Sequence, residues 1–179
     1  MTSDEALTAP DTGTPISLSE VLKLAAAEKL PPVDTWHPER TGDSEMRIAS
    51  DGTWYHQGDP IRRKRLVRLF SRILRRDGDE YVLVTPAEKL SIIVEDVPFV
   101  AVEVAMDEGR VVFRLNTGDF VEVDAEHPLT MRGDVPYVHV RSGLDARVAR
   151  APWYRLAEAV VERGGSTGIV ANGHFFPLA

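Results

Sequence analysis

Read from its start, the chain is polar and poor in pattern. Residues 1–16 are rich in Thr, Asp and Pro and read as a disordered tail. Leu18, Val21, Leu22 and Ala25 then fall on one helical face. Ser17 stands three residues before Glu20 with the spacing of a capping box, and Pro31 and Pro32 end this helix. Pro31–Ser44 reads as a loop holding Trp36 and a Gly42-Asp43 turn. Met46–Ala49 and Thr53–Gln57 flank Asp51-Gly52, which predicts a hairpin whose two turn residues both take positive φ.

A longer helix is predicted from Asp59-Pro60, with Asp59 as its cap and Pro60 in its first turn. Leu66, Leu69, Phe70, Ile73 and Leu74 form its apolar stripe, and Asp77-Gly78-Asp79 stops it. Strand-like runs follow at Tyr81–Thr85, Leu90–Val94, Phe99–Ala105, Val111–Leu115 and Phe120–Val123, separated by turn residues such as Asp107-Glu108-Gly109. A strand at Tyr137–Arg141 precedes a second helix over Pro152–Arg163, which turns Trp153, Leu156, Ala157 and Val160 inward. Gly164-Gly165 is its predicted C-cap. A final hairpin, Gly168–Ala171 and Phe175–Leu178, turns at Asn172-Gly173.

Strands without regular βαβ alternation predict an α+β fold, mostly antiparallel β with two main amphipathic helices. The expected organisation is a tail over 1–16, an N-terminal α+β subdomain over 17–96 and a C-terminal β-rich subdomain with a helix over 97–179. Trp54-Tyr55-His56 precedes the first long helix as Tyr137-Val138-His139 precedes the second, an echo that suggests internal duplication.

Composition narrows the chemistry. The 179 residues are 43% hydrophobic and 27% charged, enough for a sizeable core. No cysteine occurs, so disulfides, thiolate nucleophiles and cysteine-held zinc are excluded. No apolar run approaches the ~20 residues of a membrane helix, and no targeting segment is visible, so a cytoplasmic protein without a membrane partner is expected.

The net charge of −7 is unevenly spread. Eight of the 21 basic residues lie between Arg62 and Arg76, a stretch without an acid, while the 28 acidic residues lie elsewhere. Such a basic helix on an acidic body suits an anion or an acidic protein partner, or is a solvated face paired with nearby acids. The acidic remainder, and the lack of a stacking platform on that helix, argue against nucleic acid.

Motifs for catalysis fail on context. Gly164-Gly165-Ser166-Thr167-Gly168 matches a nucleophile pattern, but a helix precedes it, a strand follows, and no acid comes after Ser166. The histidines His37, His56, His127, His139 and His174 show no metal-binding spacing, and no phosphate-binding glycine motif occurs. Glu95-Asp96 are adjacent and point to opposite faces of a strand. The expectation is a protein with no catalytic residues, metal or cofactor. Its candidate ligand-binding residues are Arg47, Trp54, His56, His139 and Arg141, arginines and aromatic rings that could clamp a small anionic, nucleotide-like ligand; equally, Trp54 could be core and Arg47 could pair with Asp43 or Glu45.

A longer pattern joins these pieces. Gly42-Asp43-Ser44-Glu45-Met46-Arg47-Ile48 leads through Asp51-Gly52-Thr53-Trp54-Tyr55-His56-Gln57-Gly58-Asp59-Pro60-Ile61 to Leu66-Val67-Arg68-Leu69-Phe70-Ser71. Tyr81-Val82-Leu83-Val84-Thr85-Pro86, Val94-Glu95-Asp96-Val97-Pro98-Phe99, Gly118-Asp119 and His127-Pro128-Leu129 follow. Tyr137-Val138-His139-Val140-Arg141-Ser142-Gly143-Leu144 and Phe175-Phe176-Pro177-Leu178 complete it. From Trp36 to Leu178 the chain resembles the proteobacterial family called domain of unknown function 1285. The resemblance implies a two-part fold of repeated β-rich units, the second superficially like a pleckstrin-homology barrel with its helix. It also implies a ligand site between the parts and a role in bacterial signalling, and it assigns no catalytic residue.

Overall fold

The computed structural model describes residues 29–179, so the predicted tail and the helix beginning at Ser17 lie outside the described residues. After a 3-10 turn at Val33–Thr35 come β1 (Arg40–Ile48), β2 (Trp54–His56), β3 (Asp59–Pro60), α1 (Lys64–Arg72), β4 (Leu74–Asp77), β5 (Glu80–Val84) and β6 (Glu88–Val94). These strands form one six-stranded sheet in the order β3-β2-β1-β6-β5-β4. The second sheet contains β7 (Phe99–Asp107), β8 (Arg110–Leu115), β9 (Phe120–Glu122), β10 (Leu129–Arg132), β11 (Val135–Arg141) and β12 (Leu144–Val148), in the order β10-β11-β12-β7-β8-β9. The chain then forms α2 (Arg150–Ala157) and a three-stranded sheet of β13 (Val161–Arg163), β14 (Ser166–Ala171) and β15 (His174–Pro177).

The two large sheets share one topology. Each joins two antiparallel three-stranded meanders through a central parallel pair, β1 with β6 and β7 with β12. The echo in the sequence is therefore real at the level of strand order, although its quoted residues do not correspond. Trp54 lies on the second strand of its sheet and Tyr137 on the fifth. A six-stranded sheet with α2 packed on β7 is compatible with the pleckstrin-homology likeness.

Turn chemistry moves several boundaries. At Asp51-Gly52 only Gly52 takes positive φ (89°), and its N–H donates to the Ala49 carbonyl at 2.9 Å, the pattern of a turn closed by a glycine bulge. The turn with two positive φ values comes one hairpin later, at Gln57 (50°) and Gly58 (85°). It draws Asp59-Pro60 into an edge strand against Tyr55 and His56, where a proline lacking its N–H is tolerated. The helix consequently starts at Lys64 instead of Asp59, and it ends at Arg72 because Leu74 pairs with Leu83 and is buried in the sheet.

The second helix is shorter at both ends than its apolar spacing suggests. Val161–Arg163 leaves it to become β13, and Gly164 and Gly165, both at positive φ, turn the β13–β14 hairpin instead of capping a helix. Ser166 opens β14 as an exposed residue. The strands β10 and β12 were not marked by the sequence pattern, whereas the Asn172-Gly173 hairpin forms as predicted.

One continuous core joins the halves. Met46, Ile48, Trp54, Leu74, Leu83 and Ile92 of the first sheet belong to the same buried cluster as Phe99, Phe113, Leu115, Val140 and Leu144 of the second. Leu156 of α2 and Ile169 and Phe176 of the third sheet extend it. Burial of each such large side chain stabilises the fold by roughly 1.5–3 kcal/mol. The apolar side of α1, Val67 and Phe70, packs against this core and places the helix over the junction.

Candidate functional site: an arginine cluster between the sheets

The end of β11 shows how the site is built. Strand alternation alone would put His139 and Arg141 on one face. The pairing with β12 breaks there: His139 stands opposite Asp145, but Arg141 stands opposite Leu144. The bulge at Val140 turns Arg141 to the side of Leu144, toward the core and α1, and leaves His139 on the side of Asp145.

Arg141 is thereby held at the junction of the two sheets. One Nη donates to the Ser71 carbonyl at the end of α1 at 2.8 Å, and the guanidinium lies 5.2 Å from the centre of the Phe99 ring. Burial pushes its pKa down; the charge of Asp119 opposes that effect and the charge of Arg72 adds to it. No carboxylate forms a salt bridge with Arg141 among the described residues.

Asp119 is shared by two arginines of α1. Its Oδ1 lies 3.5 Å from Arg68 and 4.0 Å from Arg72. Arg68 and Arg72 project from the same side of the helix, one turn apart. Arg72 also donates to the Lys29 carbonyl. Gly118, at φ 94°, leaves room for this approach: a Cβ there would stand 2.8 Å from an Arg68 nitrogen. Asp119 Oδ2 and the Thr117 hydroxyl are buried without a hydrogen-bond partner among the described residues. Two guanidinium groups thus meet one carboxylate, and the buried Arg141 nearby feels its charge, an arrangement suited to holding an anion by charge-assisted hydrogen bonds.

The five residues singled out by sequence do not converge. Trp54 is 1% exposed and stacks on Phe70 with ring centres 6.5 Å apart beneath α1, and its indole N–H finds no partner among the described residues. Arg47 lies opposite Tyr55 and so on the other face from Trp54. It bonds Glu95, not Asp43 or Glu45, at 2.5 Å and stacks over Tyr55 at 4.3 Å. His56 is exposed at the end of its strand. His139 joins a separate polar chain. Its Nδ1 is 2.8 Å from Asp145, which binds Arg132 at 2.5 Å; Arg132 lies over the Tyr137 ring, and the Tyr137 hydroxyl donates to Asp96 at 2.9 Å.

Only Arg141 therefore sits in the cluster, and Asp119, Thr117, Ser71, Arg68 and Arg72 complete it. The four-residue spacing of Arg68 and Arg72 was a usable signal; Asp119 was marked only as part of the Gly118-Asp119 piece of the longer pattern, because its arginine neighbours come from a helix distant in sequence. The basic run is also divided. Arg62–Arg65 are exposed, Arg68 and Arg72 face Asp119, and Arg75 is built into β4. Among the described residues no helix is long and apolar enough to cross a membrane, and no group of three metal-ligating side chains stands together.

Comparison with known proteins places this architecture. Residues 31–97 match the family model described as domain of unknown function (DUF1285), N-terminal domain, and residues 98–178 match the DUF1285 C-terminal domain. A crystal structure of a DUF1285 family protein from Silicibacter pomeroyi DSS-3 is similar with a TM-score of 0.78 and 44% identity, over 88% of this chain and 93% of that one. A DUF1285 family protein from Shewanella baltica OS155 is similar with a TM-score of 0.57 and 27% identity, over 63% of this chain and 90% of that one. No curated protein matches. Both halves of the architecture, each with its own matching family model, thus identify the chain as a member of the DUF1285 family.

Proposed function

We propose that this protein is a non-catalytic binding module for signalling, which takes a small anionic, nucleotide-like ligand at the arginine cluster between its two halves. The observation that carries this reading is Arg141. A mostly buried guanidinium that bonds a backbone carbonyl and faces a ring, with no carboxylate of its own, bears a desolvation cost that a bound phosphate or carboxylate would offset. Its remaining N–H donors form the planar fork that matches such groups.

A thermal-shift screen against mono-, di- and cyclic nucleotides, with inorganic phosphate as a further ligand, tests the reading. A selective ligand at 100 times its Kd is expected to stabilise the fold by about 2.7 kcal/mol. Arg141→Met keeps an apolar stem over Phe99 and removes a buried charge, so it is expected to melt no lower than the parent while losing the ligand response. A flat screen, or a response that survives Arg141→Met, overturns the proposal.

A further inference from the structure

The outer side of α1 brings exposed leucines and positive charge together. Val67 and Phe70 face the core, whereas Leu66 and Leu69, three residues apart on another side of the helix, are 36% and 56% exposed. Leu30 is 44% exposed and lies by the same helix, because Arg72 donates to the carbonyl of the residue before it, Lys29. Three of the six large hydrophobic side chains left exposed among the described residues thus gather at one helix, a patch instead of the usual scatter.

The charge beside this patch is of one sign. Arg62, Arg63, Lys64 and Arg65 are exposed around the start of α1, whose first turn holds no acid and whose N-cap residue makes no capping hydrogen bond through its side chain. Cations at the positive end of a helix dipole are unfavourably placed, and acidic groups docked there would relieve them.

The chain itself carries the complement. Residues 1–28 hold five acids, Asp4, Glu5, Asp11, Glu20 and Glu28, against one base, Lys23. Leu18, Val21, Leu22 and Ala25 have the spacing of one helical face. Twelve residues from Ser17 to Glu28 would make a helix of ~18 Å, enough to run beside the ~15 Å of α1 and its approach from Arg62 to Arg72. The end of the segment is already fixed, since Glu28 precedes the Lys29 that Arg72 holds at the last turn of α1.

We propose that Ser17–Glu28 docks as a helix on the exposed side of α1. Its apolar stripe covers Leu66, Leu69 and Leu30, and Glu20 with the acids before it lies beside Arg62–Arg65. A helix of this length is marginal alone in water, so docking is what orders it. The inference needs no bound anion and stands apart from the ligand reading at Arg141.

Amide hydrogen exchange of the isotope-labelled full chain tests this. The amides of residues 21–28 are expected to exchange at least about tenfold more slowly than those of an unstructured chain. Leu69→Gln changes an exposed side chain and keeps good helix propensity, and Leu22→Gln weakens the same contact from the segment's side. Each should remove most of that protection while the strands of the two large sheets keep theirs, and the second serves if the first alters the fold. The proposal is overturned if residues 21–28 exchange as an unstructured chain, which would leave the face to an acidic protein partner. It is equally overturned by protection that survives both variants. Protection that rises with protein concentration, together with a dimer mass in sedimentation, would give the face to a second copy and overturn it as well.

Discussion

Gly168 shows how one absent side chain sets the packing of the third sheet. It lies in the central strand, between Val161 and Pro177. A Cβ there would stand 2.4 Å from the Phe176 carbonyl oxygen and 2.5 Å from the Phe175 ring. Because the backbone oxygen cannot yield, Gly168→Ala is expected to lower stability by about 1–3 kcal/mol, seen as a fall in the urea midpoint at unchanged slope. An unchanged midpoint would mean that the hairpin shifts without loss. At this scale the sequence identified the right residue types more readily than their surroundings. Trp54 was legible as core or as ligand platform, and only its position beneath Phe70 decides for core. Arg141 was legible as a candidate, but its inward aim depends on a bulge that side-chain alternation does not announce.

Both described helices lack a side-chain cap. Arg63 precedes α1 and Ala149 precedes α2 with extended backbone, neither makes a capping hydrogen bond, and neither helix has an acid in its first turn. Ala149→Asp is expected to raise stability by ~0.5–2 kcal/mol, since the carboxylate can accept from the free N–H groups and complements the helix dipole. A chemical-denaturation midpoint that falls would show that the half-exposed Ala149 has no room for the carboxylate. The helix boundaries also show where local pattern fails. Leu66, Leu69, Phe70, Ile73 and Leu74 fit one helical stripe, yet Leu74 serves a strand because its pairing with Leu83 buries it. Gly164-Gly165 satisfies a helix C-cap and a tight hairpin equally well, and the partner strand β14 selects the hairpin.

The surface of the whole molecule is laced by arginine–carboxylate pairs, and these give its stability a definite pH dependence. Hydrogen bonds from Arg75, Arg114 and Arg110 hold Asp77, Glu103 and Glu122 below the ordinary values of 3.8 for Asp and 4.5 for Glu. Unfolding restores the ordinary values, so the unfolded chain binds more protons in acid. The contribution is fully present above about pH 5 and is lost as the pH falls through 4 toward the depressed values. Urea midpoints are expected to be level from pH 7 to 5 and to decline below that, the decline lessening in high salt for the more exposed pairs. A midpoint that stayed level to pH 3 would show that these pairs persist in the unfolded chain.

The sequence by itself determined the class of fold, most of its strands and hairpin turns, the family, and the absence of thiol chemistry. These follow from residue type, short-range periodicity and turn residues, all of which act over a few positions. The tertiary structure alone decided that two sheets of equal topology share one core and that each contains a parallel pair. It also decided that Asp119 meets two arginines of α1 near the buried Arg141 of β11, and that Arg75 bonds the carbonyls of a turn some forty residues earlier. Such contacts join segments far apart in the chain, and they are selected by which apolar faces can be buried together, a condition that no local window contains.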